Sequence, residues 1–285
     1  MDRRNFVKTL SVIGLSAIPL QQIRAQNNND NDKGLFGVLI DTTRCVGCQT
    51  CSVVCAETNH LPEPDLDAMF QQVRNTSEVQ WTLVNRFEVD GQEIFVKKQC
   101  MHCNQPACVA ACVSKALYKT AEGPVIWREN KCLGCRFCMI SCPYEIPKFE
   151  YDKAVPKIQK CIMCWDRVQN GDQPACAAEC PEQAIQFGLR KDLLEEARKR
   201  IYEKPDGYVH HVYGEQEVGG SSVLYLAAVS FEKIGFPKDI GPEPYPEHTK
   251  TFLYSVPVVD ILLPAFLLGL NAATRGEKGK METGE

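Results

Sequence analysis

Residues 45–55 read CVGCQTCSVVC, and residues 132–142 read CLGCRFCMISC. Both stretches hold four cysteines in the form C-x2-C-x2-C-x3-C. The spacing decides the fold, because three thiols two residues apart share one tight loop and the fourth starts a short helix beyond it. Two further tetrads vary the theme. Cys100, Cys103, Cys108 and Cys112 have four residues in the middle gap, whereas Cys161, Cys164, Cys176 and Cys180 have 11. The chain holds 16 cysteines, and the four tetrads use all of them.

The rest of the composition is that of a folded chain. At 285 residues, 44% hydrophobic and 24% charged, it can bury a core, which excludes wholesale disorder. A net charge of −4 excludes a basic nucleic-acid footprint. The chain is also too long to need a disulfide scaffold in place of a core. The cysteines therefore require a chemical explanation.

A run of three cysteines two apart, closed by a fourth and a proline, resembles the [4Fe–4S] signature of bacterial ferredoxins. Pro143 and Pro181 follow the fourth cysteine of the third and fourth tetrads, and Val113 replaces that proline in the second. Zinc would need two C-x-x-C pairs and leave the closely spaced third cysteine surplus. Disulfides suit an even count, but each thiol lies nearest its own loop neighbours, a poor framework geometry. In two-cluster ferredoxins the fourth cysteine ligates the other cluster. Applied here, that rule predicts cluster A on Cys45, Cys48, Cys51 and Cys180, and cluster B on Cys55, Cys161, Cys164 and Cys176. Cluster C then takes Cys100, Cys103, Cys108 and Cys142, and cluster D takes Cys112, Cys132, Cys135 and Cys138.

Chain order predicts an α+β fold of two ferredoxin-like two-cluster units, one inserted in the other. The inner unit spans 97–151, with a hairpin of Ala116–Lys119 and Pro124–Trp127 between its tetrads. The outer unit comprises 35–96 and 152–190. Leu35–Asp41 and Ala184–Gly188 read as strands, Val79–Val89 and Gln92–Lys98 as a hairpin about Asp90-Gly91, and Lys191–Ile201 as an exposed helix. Residues 191–250 read as a docking extension.

Both ends carry address signals. Residues 1–25 hold Arg3-Arg4-Asn5-Phe6-Val7-Lys8, an apolar run and a small-residue cleavage site, the pattern of a twin-arginine signal peptide. Folded export suits a protein whose cofactor is installed beforehand, and predicts a periplasmic location. Residues 26–34 form a polar linker. Residues 252–270 (FLYSVPVVDILLPAFLLGL) are about 28 Å long as a helix, enough for a transmembrane anchor, and 271–285 form a tail. Asp260 within that stretch would cost about 2.5–3.5 kcal/mol against lipid, which favours its facing a partner helix.

Cleavage removes four basic residues and one acid, taking −4 to near −7. Four clusters at −2 each would bring it to about −15. Arg44, Lys131 and Lys160 each precede the first cysteine of a tetrad, and Lys98 stands two before another. These cations are candidates for raising cluster potentials. His102 reads as a structural hydrogen-bond donor and Trp165 as packing. No acid–base pair, phosphate loop or dinucleotide fingerprint is present, so no active site of the chain's own is expected.

The tetrads, the 11-residue gap, Pro143 and Pro181 together resemble the four-cluster iron–sulfur (β) subunits of membrane-bound respiratory oxidoreductases over roughly residues 35–235. Within that family, RRNFVK, KKQCMHC at 97–103 and VYGEQEVGGSSVLYL at 212–226 look most like the branch that serves [NiFe] hydrogenases. The resemblance implies an electron relay. Its partners would be hydrogenase small and large subunits, or a molybdopterin catalytic subunit, and an integral membrane quinone-reactive subunit.

Overall fold

The computed structural model describes residues 34–68 and 70–281. The leader at 1–25 and most of the linker lie outside the described residues. Apolar and alternating segments form β1 (Phe36–Asp41), β2 (Leu83–Val89), β3 (Gln92–Lys98), β4 (Leu117–Lys119), β5 (Val125–Trp127), β6 (Lys148–Phe149), β7 (Ile158–Gln159), β8 (Ile185–Leu189) and β9 (Val223–Leu226). The helices are α1 (Thr50–Thr58), α2 (Ala107–Ala110), α3 (Phe137–Ile140), α4 (Trp165–Gln169), α5 (Ala175–Ala178), α6 (Arg190–Glu203) and α7 (Tyr245–Met281). The fold is thus a mixed α/β arrangement with a long C-terminal apolar helix.

β1 is the middle strand of a three-stranded sheet. β8 pairs with it antiparallel, with Phe36 opposite Leu189 and Ile40 opposite Ile185. β9 pairs parallel on its other edge, with Val38 opposite Val223 and Asp41 opposite Leu226. Because both faces are covered, the strand reads as an apolar run, FGVLI, closed by Asp41. Leu39 packs beneath α6 with Leu193, Leu194 and Ala197. Val38 and Ile40 point the other way, into a core shared with Cys51, Cys100 and Tyr225. Burying each such aliphatic side chain stabilises the fold by about 1.5–3 kcal/mol.

Two hairpins follow from turn chemistry. β2 and β3 pair over seven positions around Asp90 and Gly91, whose φ values of 53° and 78° suit a two-residue turn of the primed type. The strand expected from Val79 begins instead at Leu83, because a turn from Ser77 to Gln80 closes first, with the Ser77 N–H donating to Gln80 O at 2.9 Å. β4 and β5 pair as the spacing predicts. β6 and β7 pair across residue 151, joining the proposed inner segment to the second outer one.

The extension at 191–250 contributes to the core: within it, β9 is fully buried beside β1, and Tyr225 donates its hydroxyl to Lys97 O at 2.8 Å. The helix expected to be exposed, α6, buries Leu193, Leu194, Ala197 and Arg200. Arg200 locks it down, since its Nη1 meets Oδ2 of fully buried Asp41 at 3.0 Å. The Tyr208 hydroxyl donates to the same oxygen at 2.9 Å.

α7 runs for 37 residues, longer than the 19 expected, and is about 55 Å along its axis. Pro257 and Pro264 lie inside it. Phe252, Tyr254, Ile261, Leu262, Phe266 and Leu268 are all exposed along its length. Tyr245–Thr274 is long and apolar enough to cross a membrane.

Candidate metal centre: the cysteine tetrads

Each tetrad opens with the same backbone device. The residue just before the second cysteine is left-handed in all four: Gly47 (φ 71°), His102 (49°), Gly134 (66°) and Met163 (57°). That residue curls the loop so that neighbouring thiols point to one side. Glycine meets the requirement without strain in two tetrads. Gly47 is doubly constrained, because a Cβ there would meet the Phe95 ring at 2.5 Å.

A helix then starts at the third cysteine rather than the fourth. Cys51, Cys108, Cys138 and Cys176 lie in the first turns of α1, α2, α3 and α5. The fourth cysteine of each tetrad follows four residues later, at or near the far end. In three tetrads the exit repeats too. Lys115, Glu145 and Gln183 are left-handed and donate their N–H to the carbonyls of Cys112, Cys142 and Cys180 at 2.9, 3.2 and 3.1 Å. After Cys55 the helix instead continues to Thr58.

The tertiary fold decides which thiols meet. α1 packs on α5, and α2 on α3. One cavity is lined by Cys45, Cys48, Cys51 and Cys180, together with Gln49 and Lys97. Another is lined by Cys55, Cys161, Cys164 and Cys176, with Thr82 and Gln99 on its wall. The Cys103 thiol feels the charges of Cys100, Cys142 and Cys108. Around Cys138 stand Cys112, Cys132 and Cys135. Each of the two cavities thus gathers three thiols of one tetrad and one of another, and Cys103 and Cys138 likewise have neighbours from two tetrads.

Burial dominates the acid–base character of these thiols. It pushes Cys51, Cys108, Cys138 and Cys161 up to about 12 and Cys55 and Cys103 well above the usual thiol value, with neighbouring thiolates adding to the effect. Such groups stay protonated unless a bound metal takes the proton's place. Cys112 runs the other way. Burial raises it, but hydrogen bonds from the Leu117 N–H at 3.4 Å and the Ser114 hydroxyl at 3.7 Å outweigh that. Foursomes made only of soft sulfur donors fit iron–sulfur clusters better than any hard cation. Among the described residues no three Cys, His, Asp or Glu side chains converge on a single-ion site.

The cations named from the sequence sit in different surroundings. Lys160 is buried, its Nζ 4.0 Å from Cys100 Sγ and donating to Cys161 O at 2.9 Å and to Val125 O. Lys98 is half-buried and held below the usual lysine value by burial and by Lys148, with Glu145 opposing. Arg44 is partly exposed and lies 3.7 Å from Asp41, while Lys131 is exposed. Two lysines escape proximity arguments. Lys97 is buried on β3, and Lys119 donates to the carbonyls of Cys103 and Gly123 at 3.0 and 2.7 Å.

His102 differs from expectation. Its Nδ1 accepts a hydrogen bond from the Val125 N–H at 2.9 Å instead of donating one. Burial, with Lys160, Lys119 and Lys97 nearby, holds it well below the usual histidine value and therefore neutral. Trp165 is half-buried at the start of α4.

Comparison with known proteins agrees with this chemistry. Residues 92–190 match the family model of the 4Fe-4S dicluster domain. The chain is 35% identical to the hydrogenase-2 operon protein HybA of Escherichia coli O157:H7, over 96% of this chain and 95% of that one. It is 36% identical to the nitrate-inducible formate dehydrogenase iron-sulfur subunit of Escherichia coli K12, over 66% of each. A protein of Nitratidesulfovibrio vulgaris is 41% identical over 96% of this chain and 77% of its own length. The cysteine sets, their burial and near full-length kinship with HybA have one conclusion: the chain belongs to the 4Fe-4S dicluster family of iron–sulfur electron-transfer subunits.

Proposed function

We propose that the chain is a periplasmic, membrane-anchored relay with four [4Fe–4S] clusters, passing electrons between a [NiFe] hydrogenase and a membrane quinone-reactive subunit. Cluster A takes Cys45, Cys48, Cys51 and Cys180, and cluster B takes Cys55, Cys161, Cys164 and Cys176. Cluster C takes Cys100, Cys103, Cys108 and Cys142, and cluster D takes Cys112, Cys132, Cys135 and Cys138. The observation that carries the assignment is the company the thiols keep, three from one tetrad and one from its neighbour.

A bound cluster supplies a one-electron couple held by four thiolates. The protein's part is to bury those thiolates and set cations beside them. Charge effects between thiols of different sets support an order: Cys176 acts on Cys51, Cys100 on Cys161, and Cys138 on Cys108. On this reading the row runs A, B, C, D. Exposure of Cys48 and Cys135, one in each terminal set, suits entry and exit at the two ends.

Helix α7 supports membrane anchoring, and residues 1–25 support export by the twin-arginine route with its folded cargo. The hydrogenase partner is favoured because the likeness to HybA spans 95% of that protein. A molybdopterin partner of the formate dehydrogenase type is the second reading, favoured by 36% identity over two thirds of that subunit.

Iron, sulfide and EPR analysis of anaerobically purified protein tests the core proposal. About 16 iron atoms per chain, four clusters of four, are expected, and stoichiometric zinc or disulfides would overturn it. Reductive titration separates a relay, whose clusters accept electrons, from a scaffold whose clusters stay silent. The catalytic subunit that co-purifies decides between the two partners.

A further inference from the structure

Lys97 is 1% exposed, at the end of β3. Its ammonium donates to the Thr82 hydroxyl at 2.7 Å and to the Gln99 side-chain carbonyl, and both acceptors are neutral. The groups around it that become negative once metal is bound are cysteines, Cys176, Cys51, Cys161 and Cys55. A buried ammonium with no counter-charge is strongly unfavourable, so its partner must be sought in those sulfurs. The geometry places it between two sites. Lys97 itself lines the cavity of Cys45, Cys48, Cys51 and Cys180, while Thr82 and Gln99 line that of Cys55, Cys161, Cys164 and Cys176.

We infer that Lys97 is the shared counter-ion of clusters A and B, a fixed positive charge between them that raises the reduction potential of both. The inference rests on the cluster assignment above. Reduction adds one negative charge at either site, and an ammonium between them favours that charge wherever it sits. It also offsets the repulsion between two anionic neighbours, so an electron at one site hinders arrival at the next less. The position is rigid, because Lys97 pairs with Val84 in the hairpin and its carbonyl accepts the Tyr225 hydroxyl at 2.8 Å.

The test is EPR-monitored redox titration of the full chain, wild type against Lys97→Met, Lys97→Gln and Lys97→Arg. The wild-type iron count and its titrating signals test the four-cluster reading independently of the variants. Both neutral variants are expected to lower two midpoints and leave two in place, and Lys97→Arg to restore them. Lys97→Gln keeps hydrogen-bonding capacity toward Thr82 and Gln99, and serves if Lys97→Met does not retain iron. Loss of iron in both neutral variants with retention in Lys97→Arg also supports a required charge. Unchanged midpoints, an equal shift of all clusters, or loss of iron in all three variants would overturn the inference.

Discussion

Lys160 Nζ lies 4.0 Å from Cys100 Sγ and donates to the carbonyl of Cys161, so one buried cation touches both the second and the fourth tetrad. Away from water, its charge is weakly screened. Lys160→Gln is expected to lower the midpoint of the cluster on Cys100. The loss is about 1–2 kcal/mol, or about 40–90 mV for a one-electron couple. Lys131→Gln is the control, since that side chain is exposed and water screens it. EPR potentiometry of the two variants reads the difference, and equal shifts would remove burial as the cause.

The left-handed turn before the second cysteine gives a second contrast. Gly47 and Gly134 occupy equivalent places with φ of 71° and 66°, yet their surroundings differ. An alanine Cβ at 47 would strike the Phe95 ring at 2.5 Å, whereas at 134 the nearest atom, also of a phenylalanine, is 3.8 Å away. Gly134→Ala therefore costs about 1–2 kcal/mol of backbone strain. Gly47→Ala adds a clash to that strain and is expected to deplete iron from the first tetrad. Iron content and thermal stability of the two variants are the measurements, and a milder effect at 47 than at 134 would count against the packing argument.

The strands flanking the tetrads were legible because their signals are local. Alternation and Asp90-Gly91 mark the β2–β3 hairpin, and the apolar run from Phe36 marks a strand covered on both faces. β9 was not legible as sheet, because Val223–Leu226 gains its character from pairing with a strand more than 180 residues earlier. Nearness to a cysteine in sequence singled out Lys98, whereas the cation that reaches the core is Lys97. The end of β3 is covered on both sides, so Val96 and Lys97 are both buried and strict alternation breaks down. Spacing names the sixteen thiols, and the crossed rule of two-cluster ferredoxins proposes their company, but the packing that brings them together is not local. Which of them share a cavity depends on α1 meeting α5 and α2 meeting α3, contacts made across long stretches of chain.

The buried pair of Arg200 and Asp41 ties α6 to β1, and so holds the back of the sheet whose front carries Val38 and Ile40. Removing one partner leaves the other charge buried, a loss of about 3–5 kcal/mol. Arg200→Met is expected to lower stability toward the lower end of that range, because the Tyr208 hydroxyl and the Arg44 guanidinium, 3.7 Å away, remain beside Asp41. Glu196, also bonded to Arg200 at 2.8 Å, is partly exposed and can turn to water. Glu196→Gln should therefore cost less than about 1 kcal/mol. Denaturant unfolding of the iron-loaded chain compares the two, and similar losses would mean that the buried pair is not the stronger restraint.

The proposed crossed ligation differs from local ligation in its effect on Cys180. Cys180 belongs to the fourth tetrad by sequence but lines the cavity of Cys45, Cys48 and Cys51. Its own loop partners, Cys161, Cys164 and Cys176, line a different cavity with Cys55. Cys180→Ser should therefore perturb the EPR signature of the first tetrad's cluster and leave the fourth tetrad's cluster unchanged. Cys55→Ser should do the reverse, although that residue lies four positions from Cys51 on the same helix. A serine oxygen can still bind iron, so altered midpoint and line shape are expected before outright loss. If Cys180→Ser instead removes only the cluster of its own tetrad, each tetrad keeps its four ligands, and the A to D order of the row no longer follows.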